Sequence, residues 1–311
     1  MTRAVAIVEP GGPEVLRVVE RDVRDPEPGE VRLAVRGAAV NPTDIALRQR
    51  GDAEISPPWI PGMDAAGTVE SVGAGVERLG VGDRVMAAVT PRRAEGGAQS
   101  ELLLVPAASV VPIPAGATLE QAATLPMNGL TALRGLELLD LPPGATLAVT
   151  GGAGLLASYV IPIAKLQGLR VLADASPADE ELVRSFGADV VLQRGDELPA
   201  AIRAAAHGGV DAVFDTAVLG RSVLPAIRPG GALAYVRTWD GDDVENGVAI
   251  HRVLVREVLE RTDWLLELSE LAARGVLALR VAAVFPPERC SDAHRQMEAG
   301  GLRGRAVIVF D

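Results

Sequence analysis

The sequence predicts an α/β chain of two domains: a β-rich domain interrupted by a nucleotide-type domain built on a doubly wound parallel sheet. Three observations carry this expectation. Residues 1 to about 115 form short apolar or alternating runs, punctuated by Pro-Gly, Gly-Gly and Gly-Asp pairs. From about 118 the texture changes to strand patterns alternating with helical ones across short Gly-bearing turns. The tail then returns to a β-α-β pattern, which supplies the last helix and strand of the first domain. A length of 311 residues suits two domains better than one core.

Taken in order, strands are expected at 5–8, 15–19, 31–40, 67–72 and 84–89, with one small helix at 42–50. Asn41 caps that helix and Pro42 suits its first position. Thr118-Leu-Glu-Gln-Ala-Ala reads as a capping-box start, followed by a helix around 131–139 that Thr131 opens. Strand 147–149 then leads to helix 154–167, strand 170–173 to helix 178–186, and strand 189–192 to helix 197–206. Strand 210–214 leads to helix 219–227, and strand 232–236 precedes an apolar helix at 252–268. Strand 280–285, helix 288–298 and strand 306–310 close the pattern. The expected domains are 1–117 with 270–311, and 118–269 between them.

Composition narrows the function. Apolar residues make up 48% and charged ones 23%, the balance of a folded globular protein. A formal net charge of −11 argues against nucleic acid or acidic membranes as partners and leaves small molecules. The single cysteine, Cys290, closes no internal disulfide and fits a reducing compartment. The first apolar run is too short for a signal peptide, and no stretch offers the roughly 20 apolar residues of a membrane span. A cytoplasmic location is expected. His207, His251 and His294 stand far apart, without His-x-x-x-His or Cys-x-x-Cys spacing, so no metal site is expected.

The stretch that speaks most of chemistry is Leu147-Ala-Val-Thr-Gly-Gly-Ala-Gly-Leu-Leu-Ala-Ser-Tyr-Val160. It reads as a strand, a glycine turn and the start of a helix. A helix N-terminus offers free N–H groups and the positive end of the dipole, a natural seat for a pyrophosphate. Gly151, Gly154 and Ala157 stand three apart, where small residues allow a tight turn and close helix–strand packing.

The flanking motifs follow a fixed order: Asn41-Pro-Thr-Asp44, Pro61-Gly-Met-Asp-Ala-Ala-Gly-Thr-Val69, Gly82-Asp-Arg-Val85, Gly96-Gly-Ala-Gln-Ser-Glu101 and Ala122-Ala-Thr-Leu-Pro126. Phe186-Gly-Ala-Asp189, Val210-Asp-Ala-Val-Phe-Asp215, Arg228-Pro-Gly-Gly-Ala-Leu233 and the tail 293–305 continue it. This ordered set resembles the zinc-independent quinone oxidoreductase-like branch of the medium-chain dehydrogenase/reductase superfamily over essentially the whole chain. The resemblance implies a GroES-like β-rich domain with an inserted Rossmann domain and NADPH or NADH as cofactor. It also implies hydride transfer to a quinone, or to the β-carbon of an enone or enal, without metal. Zinc-bearing relatives place Cys and His where this chain has Thr43 and Met63. Asn41 is then expected to face nicotinamide and substrate, with Thr131 beside the cofactor. Gly151, Gly154, Leu155 and Ala157 surround the pyrophosphate, while Asp174, Ser176 and Arg194 lie near the adenosine ribose. Thr216 and Arg303 complete the implied cofactor contacts, and a homodimer is the common family assembly.

Four positions depart from the family pattern. Leu155 puts a branched side chain where a glycine backbone passes close to the pyrophosphate. Pro162 stands inside the following helix, where proline costs about 3 kcal/mol or a kink. The segment 174–181 is acidic where NADPH users place a basic residue, so Asp174 favours a ribose hydroxyl over a phosphate. Ala46 replaces a tyrosine. Together these leave an alternative open: a repurposed member, a non-redox cyclase or lyase or a non-catalytic protein, with weakened or lost cofactor binding.

Overall fold

The computed structural model describes residues 1–237 and 239–311. The chain divides into two compact units, Met1–Met127 with Arg256–Asp311, and Asn128–Val255.

The first unit opens with β1 (Thr2–Ile7), β2 (Leu16–Arg21) and the long β3 (Glu30–Ala39), then α1 (Pro42–Arg50), β4 (Asp64–Val72) and β5 (Arg84–Ala88). Two short strands absent from the expected set follow, β6 (Leu102–Pro106) and β7 (Val110–Pro112), and then α2 (Leu119–Ala122). Alternation explains β3. Val31, Leu33 and Val35 enter the core with Val69 and Leu103, while Arg32 on the opposite face pairs with Glu70 at 2.6 Å. Each such buried Val or Leu contributes about 1.5–3 kcal/mol.

The second unit takes most of α3 (Pro126–Leu139) and then alternates: β8 (Thr146–Thr150), α4 (Ala157–Leu166), β9 (Arg170–Ala175), α5 (Glu180–Ser185), β10 (Val190–Gln193), α6 (Leu198–Ala205) and β11 (Val210–Asp215). It closes with β12 (Ile227–Tyr235), β13 (Val244–Glu245) and β14 (Val248–Arg252). The strand order is β10-β9-β8-β11-β12-β14-β13, parallel throughout except for the β13–β14 pair. Leu172, Val213, Leu233 and Ile250 lie in its core. Gly135 on α3 has a specific reason: a Cβ there would sit 2.2 Å from the Phe214 ring of β11.

The chain returns to the first unit through α7 (Thr262–Ala273), β15 (Val281–Phe285), α8 (Cys290–Ala299) and β16 (Arg305–Val309). The large sheet there runs β15-β16-β3-β4-β5-β7, with β6 on β3. Arg48 of α1 is fully buried. Its guanidinium donates to the Gly11 carbonyl at 3.1 Å and to Glu298 of α8, and lies 3.3 Å from His294 Nδ1.

Three expectations are corrected. Residues 252–268 are not one helix: 248–252 form a strand whose apolar spacing is satisfied beside β12, and α7 starts at Thr262. Segments 118–127 and 256–269 lie in the first unit; Thr262 Oγ1 donates to the Ala108 carbonyl at 2.5 Å and Ser269 Oγ to that of Pro112 at 3.0 Å. The segment at 219–227 is a 3₁₀ turn, Gly220–Ala226, interrupted by Pro225, which has no N–H to give. Among the described residues no helix is long and apolar enough to cross a membrane.

Candidate functional site

The strand order of the second unit reverses at β8, which has β9 on one side and β11 on the other. Such a switch point leaves a crevice beyond the strands' carboxyl ends, where open parallel sheets bind ligands. Gly151 follows β8 and Thr216 follows β11. They meet there: a Cβ on Gly151 would lie 3.1 Å from Thr216 Oγ1, and Gly151 itself has a φ of 67°. A left-handed backbone at this point favours glycine.

A buried network holds the two strand ends together. Thr216 Oγ1 donates to the Thr150 carbonyl at 2.5 Å, and Thr150 Oγ1 donates to Asp215 at 2.5 Å. The Ala217 amide donates to Thr150 Oγ1 at 3.0 Å and the Gly220 amide to Asp215 at 2.8 Å. Between them Val218 takes a φ of 60°, which costs a β-branched residue energy. Thr150 and Asp215 were not singled out from sequence, although the Val-Phe-Asp-Thr end of a strand placed them at the site.

The turn itself spans 151–156, and α4 begins at Ala157 instead of 154. The Gly154 amide closes on the Gly151 carbonyl at 2.8 Å. A Cβ on Gly154 would lie 3.1 Å from that same carbonyl, a further reason for glycine in this turn. The amides of Leu155 and Leu156 have no acceptor among the described residues, as befits a helix mouth able to hold an anion.

Two expected obstacles change meaning. Leu155 is only 2% exposed, so its branched side chain is not presented to solvent at the turn. Pro162 is buried in a helix that runs through it; the helix simply forgoes a bond to the Ser158 carbonyl.

The end of β9 differs more from the sequence reading. Asp174 is 2% exposed. Its carboxylate accepts from the Gly151 amide and from Arg194 Nε at 2.7 Å, so its charge is compensated and it fastens the turn. Arg194, placed just beyond β10, leaves about half of its side chain in solvent. Ser176 Oγ donates to Asp179 at 2.6 Å. The acidic stretch therefore presents a guanidinium at this corner.

Thr131 is buried in the second turn of α3, not at a helix start. Arg303 is exposed in the first unit, donating to the Gly301 carbonyl at 2.8 Å. Asn41 is fully buried there, in a polar knot: its Nδ2 donates to Asp64 at 2.6 Å and its Oδ1 accepts from Arg305 at 2.8 Å. Asp44 accepts from the Asn41 amide at 2.7 Å and from that of Gly62 at 2.8 Å. Asp64 also accepts from the Met127 amide at 2.5 Å. Burial pushes the Asp64 carboxyl up to about 7 and that of Asp44 to about 6, against the pull of these donors and of Arg305. Among the described residues no three His, Cys, Asp or Glu side chains gather into a metal-binding group.

The comparisons agree with this architecture. Residues 27–115 match the alcohol dehydrogenase GroES-like domain and residues 186–308 the zinc-binding dehydrogenase family. The chain belongs to the medium-chain dehydrogenase/reductase superfamily, a family of oxidoreductases with a GroES-like and a Rossmann-type domain. It is 30% identical to an NADPH-dependent alkenal/one oxidoreductase of Arabidopsis thaliana, over 96% of this chain and 77% of that protein. It is 29% identical to a pikromycin polyketide synthase component of Streptomyces venezuelae, over 91% of this chain but only 8% of that much longer protein. A mycobacterial structure solved with NADPH superposes with a TM-score of 0.85 at 27% identity, covering 100% of both chains.

Proposed function

We propose that this protein is a zinc-free, NAD(P)H-dependent reductase of quinones or α,β-unsaturated carbonyl compounds. The observation that carries the reading is the turn after β8: Gly151 is fastened to Asp174 and set against Thr216, and the amides of Leu155 and Leu156 are unspent. Those residues fit a dinucleotide, the amides taking the pyrophosphate and Arg194 the ribose side. Compensation of Asp174 by Arg194 supports NADPH over NADH, because the guanidinium answers a 2′-phosphate. When bound, the nicotinamide supplies the hydride. The chain's own part is binding and orientation, which can account for most of the acceleration in such a step. Asn41, locked between Asp64 and Arg305, acts as a positioning residue for its loop. Thr43 and Met63, standing where zinc-bearing relatives place Cys and His, favour the zinc-free reading, and the kinship to an alkenal/one oxidoreductase supports the enone class.

Titrating the protein with NADPH and with NADH, followed by nicotinamide fluorescence, tests this directly. Micromolar binding, and turnover of a quinone or enone that survives chelator treatment, are expected. No binding of either cofactor up to millimolar concentration overturns the reading and leaves the repurposed, non-redox alternative.

A further inference from the structure

A hollow of about 380 Å³ opens in the first unit between β2, the segment after α1 and the loop after β5. It shares no residue with the proposed cofactor site. One side is apolar, formed by Val19, Ile55, Trp59 and Ile60. Trp59 Nε1 donates to the Ile55 carbonyl at 2.9 Å, so the ring's one polar atom is satisfied and the rest is apolar surface. The other side carries Arg21 and Arg93.

The two arginines differ in what they hold. Arg93 reaches the Leu104 carbonyl at 3.1 Å, Glu30 at 3.4 Å and Glu95 at 3.7 Å. Those carboxylates are also taken by Arg24, at 2.7 Å and 2.8 Å. Arg21 gives Nη1 to the Glu95 carbonyl at 2.6 Å, and among the described residues no carboxylate pairs with it. A guanidinium has five N–H donors, so most of those on Arg21 are unspent. Burial lowers its pKa and the nearby charge of Glu95, itself held by Arg24, raises it in part. Glu20 also borders the hollow, at its exposed rim, so the wall carries two positive groups and one negative. Gly96 keeps the corner open: a Cβ there would lie 2.7 Å from Ile60 Cβ and 3.6 Å from Arg21 Nη1.

We propose that this hollow is a second ligand site, one that takes a small amphipathic carboxylate. The apolar body lies against Trp59, Ile55 and Val19, and the carboxylate takes the free donors of Arg21. The volume stands at the low end of small-ligand pockets, about 300–1,000 Å³, which selects a compact medium-chain or aryl acid over a nucleotide.

Calorimetric titration of the full chain with octanoate and with 1-octanol separates the charge from the chain. Octanoate is expected to bind about 10-fold or more tightly than 1-octanol, the margin of a charge-assisted guanidinium–carboxylate contact. Arg21→Gln brings octanoate down to the 1-octanol level and leaves 1-octanol binding unchanged. Should that variant fail to fold, Arg21→Lys, which keeps the charge and loses the fork, gives an intermediate octanoate affinity. A chain carrying Trp239→Phe and Trp264→Phe reports the site through Trp59 emission, which octanoate shifts. Equal affinity for the two probes, no binding of octanoate, an Arg21 substitution without effect, or binding that leaves Trp59 emission unmoved each overturns the proposal.

Discussion

Arg194→Gln addresses the corner where sequence and structure part most clearly. The substitution removes the guanidinium that holds Asp174 at 2.7 Å and leaves a carboxylate only 2% exposed with the Gly151 amide as its remaining partner. Unpairing a fully buried ion pair costs about 3–5 kcal/mol. Arg194 keeps half its side chain in water, so solvent screening cuts that to about 1–2 kcal/mol of stability. The cofactor effect is separate. A hydrogen bond to a charged group contributes about 1.5–3 kcal/mol, and with the same discount the loss of a 2′-phosphate contact is about 1–1.5 kcal/mol, roughly 5- to 10-fold in Kd. The freed charge of Asp174 adds to it. Fluorescence titration of wild type and variant with both cofactors, beside urea denaturation, measures each part. NADPH binding is expected to weaken about 10-fold while NADH changes little. Equal weakening of the two, or none, refutes the assignment of Arg194 to the 2′-phosphate.

Three further outcomes are expected. Leu155→Ala, which empties a buried site, lowers stability by about 2–5 kcal/mol in denaturant titration; NADPH affinity stays within about 3-fold, whereas a steric obstacle at the turn would make the variant bind more tightly. Asp64, with a carboxyl raised to about 7 from 3.8, holds its proton in the fold at pH values where the unfolded chain has lost it. Wild-type stability therefore falls relative to Asp64→Asn as pH rises from about 4 to about 7, by up to roughly 4 kcal/mol, and a flat difference across that range refutes the burial argument. His294 runs the other way: burial and the nearby Arg48 push it down to about 3, so its stabilisation is complete above about 6.5 and is lost as pH falls toward 3. His294→Gln should remove that acid-side slope from the stability profile.

Much of the architecture was legible because parallel-sheet alternation writes itself into apolar spacing. The strands at Arg170–Ala175 and Val210–Asp215 differ from expectation only at their ends. Strands Leu102–Pro106 and Val110–Pro112 were not, since they are short and separated only by a 3₁₀ turn. At the site, glycine chemistry exposed the turn, but the direction of the Leu155 side chain depends on how 151–156 folds before α4 begins. The Asp174–Arg194 pair was equally hidden. It exists because β9 and β10 run parallel with Leu192 beside Asp174, and no local pattern states that register. Arg305 reaches Asn41 for a similar reason, through the antiparallel pairing of β16 with β3.

That pairing also sets a timetable. β3 ends at Ala39 and β16 begins at Arg305, so a ribosome adding about 5–20 residues per second completes the pair roughly 13–53 s after β3 emerges. Until then β3 lacks β16 along Gly37–Ala39 and Arg48 lacks Glu298, and by the end of that interval the whole of the second unit has been made. The inserted unit can mature first, and the unit that encloses it in sequence must wait with an open sheet edge, the kind of surface that chaperones hold and that neighbouring nascent chains can mispair with.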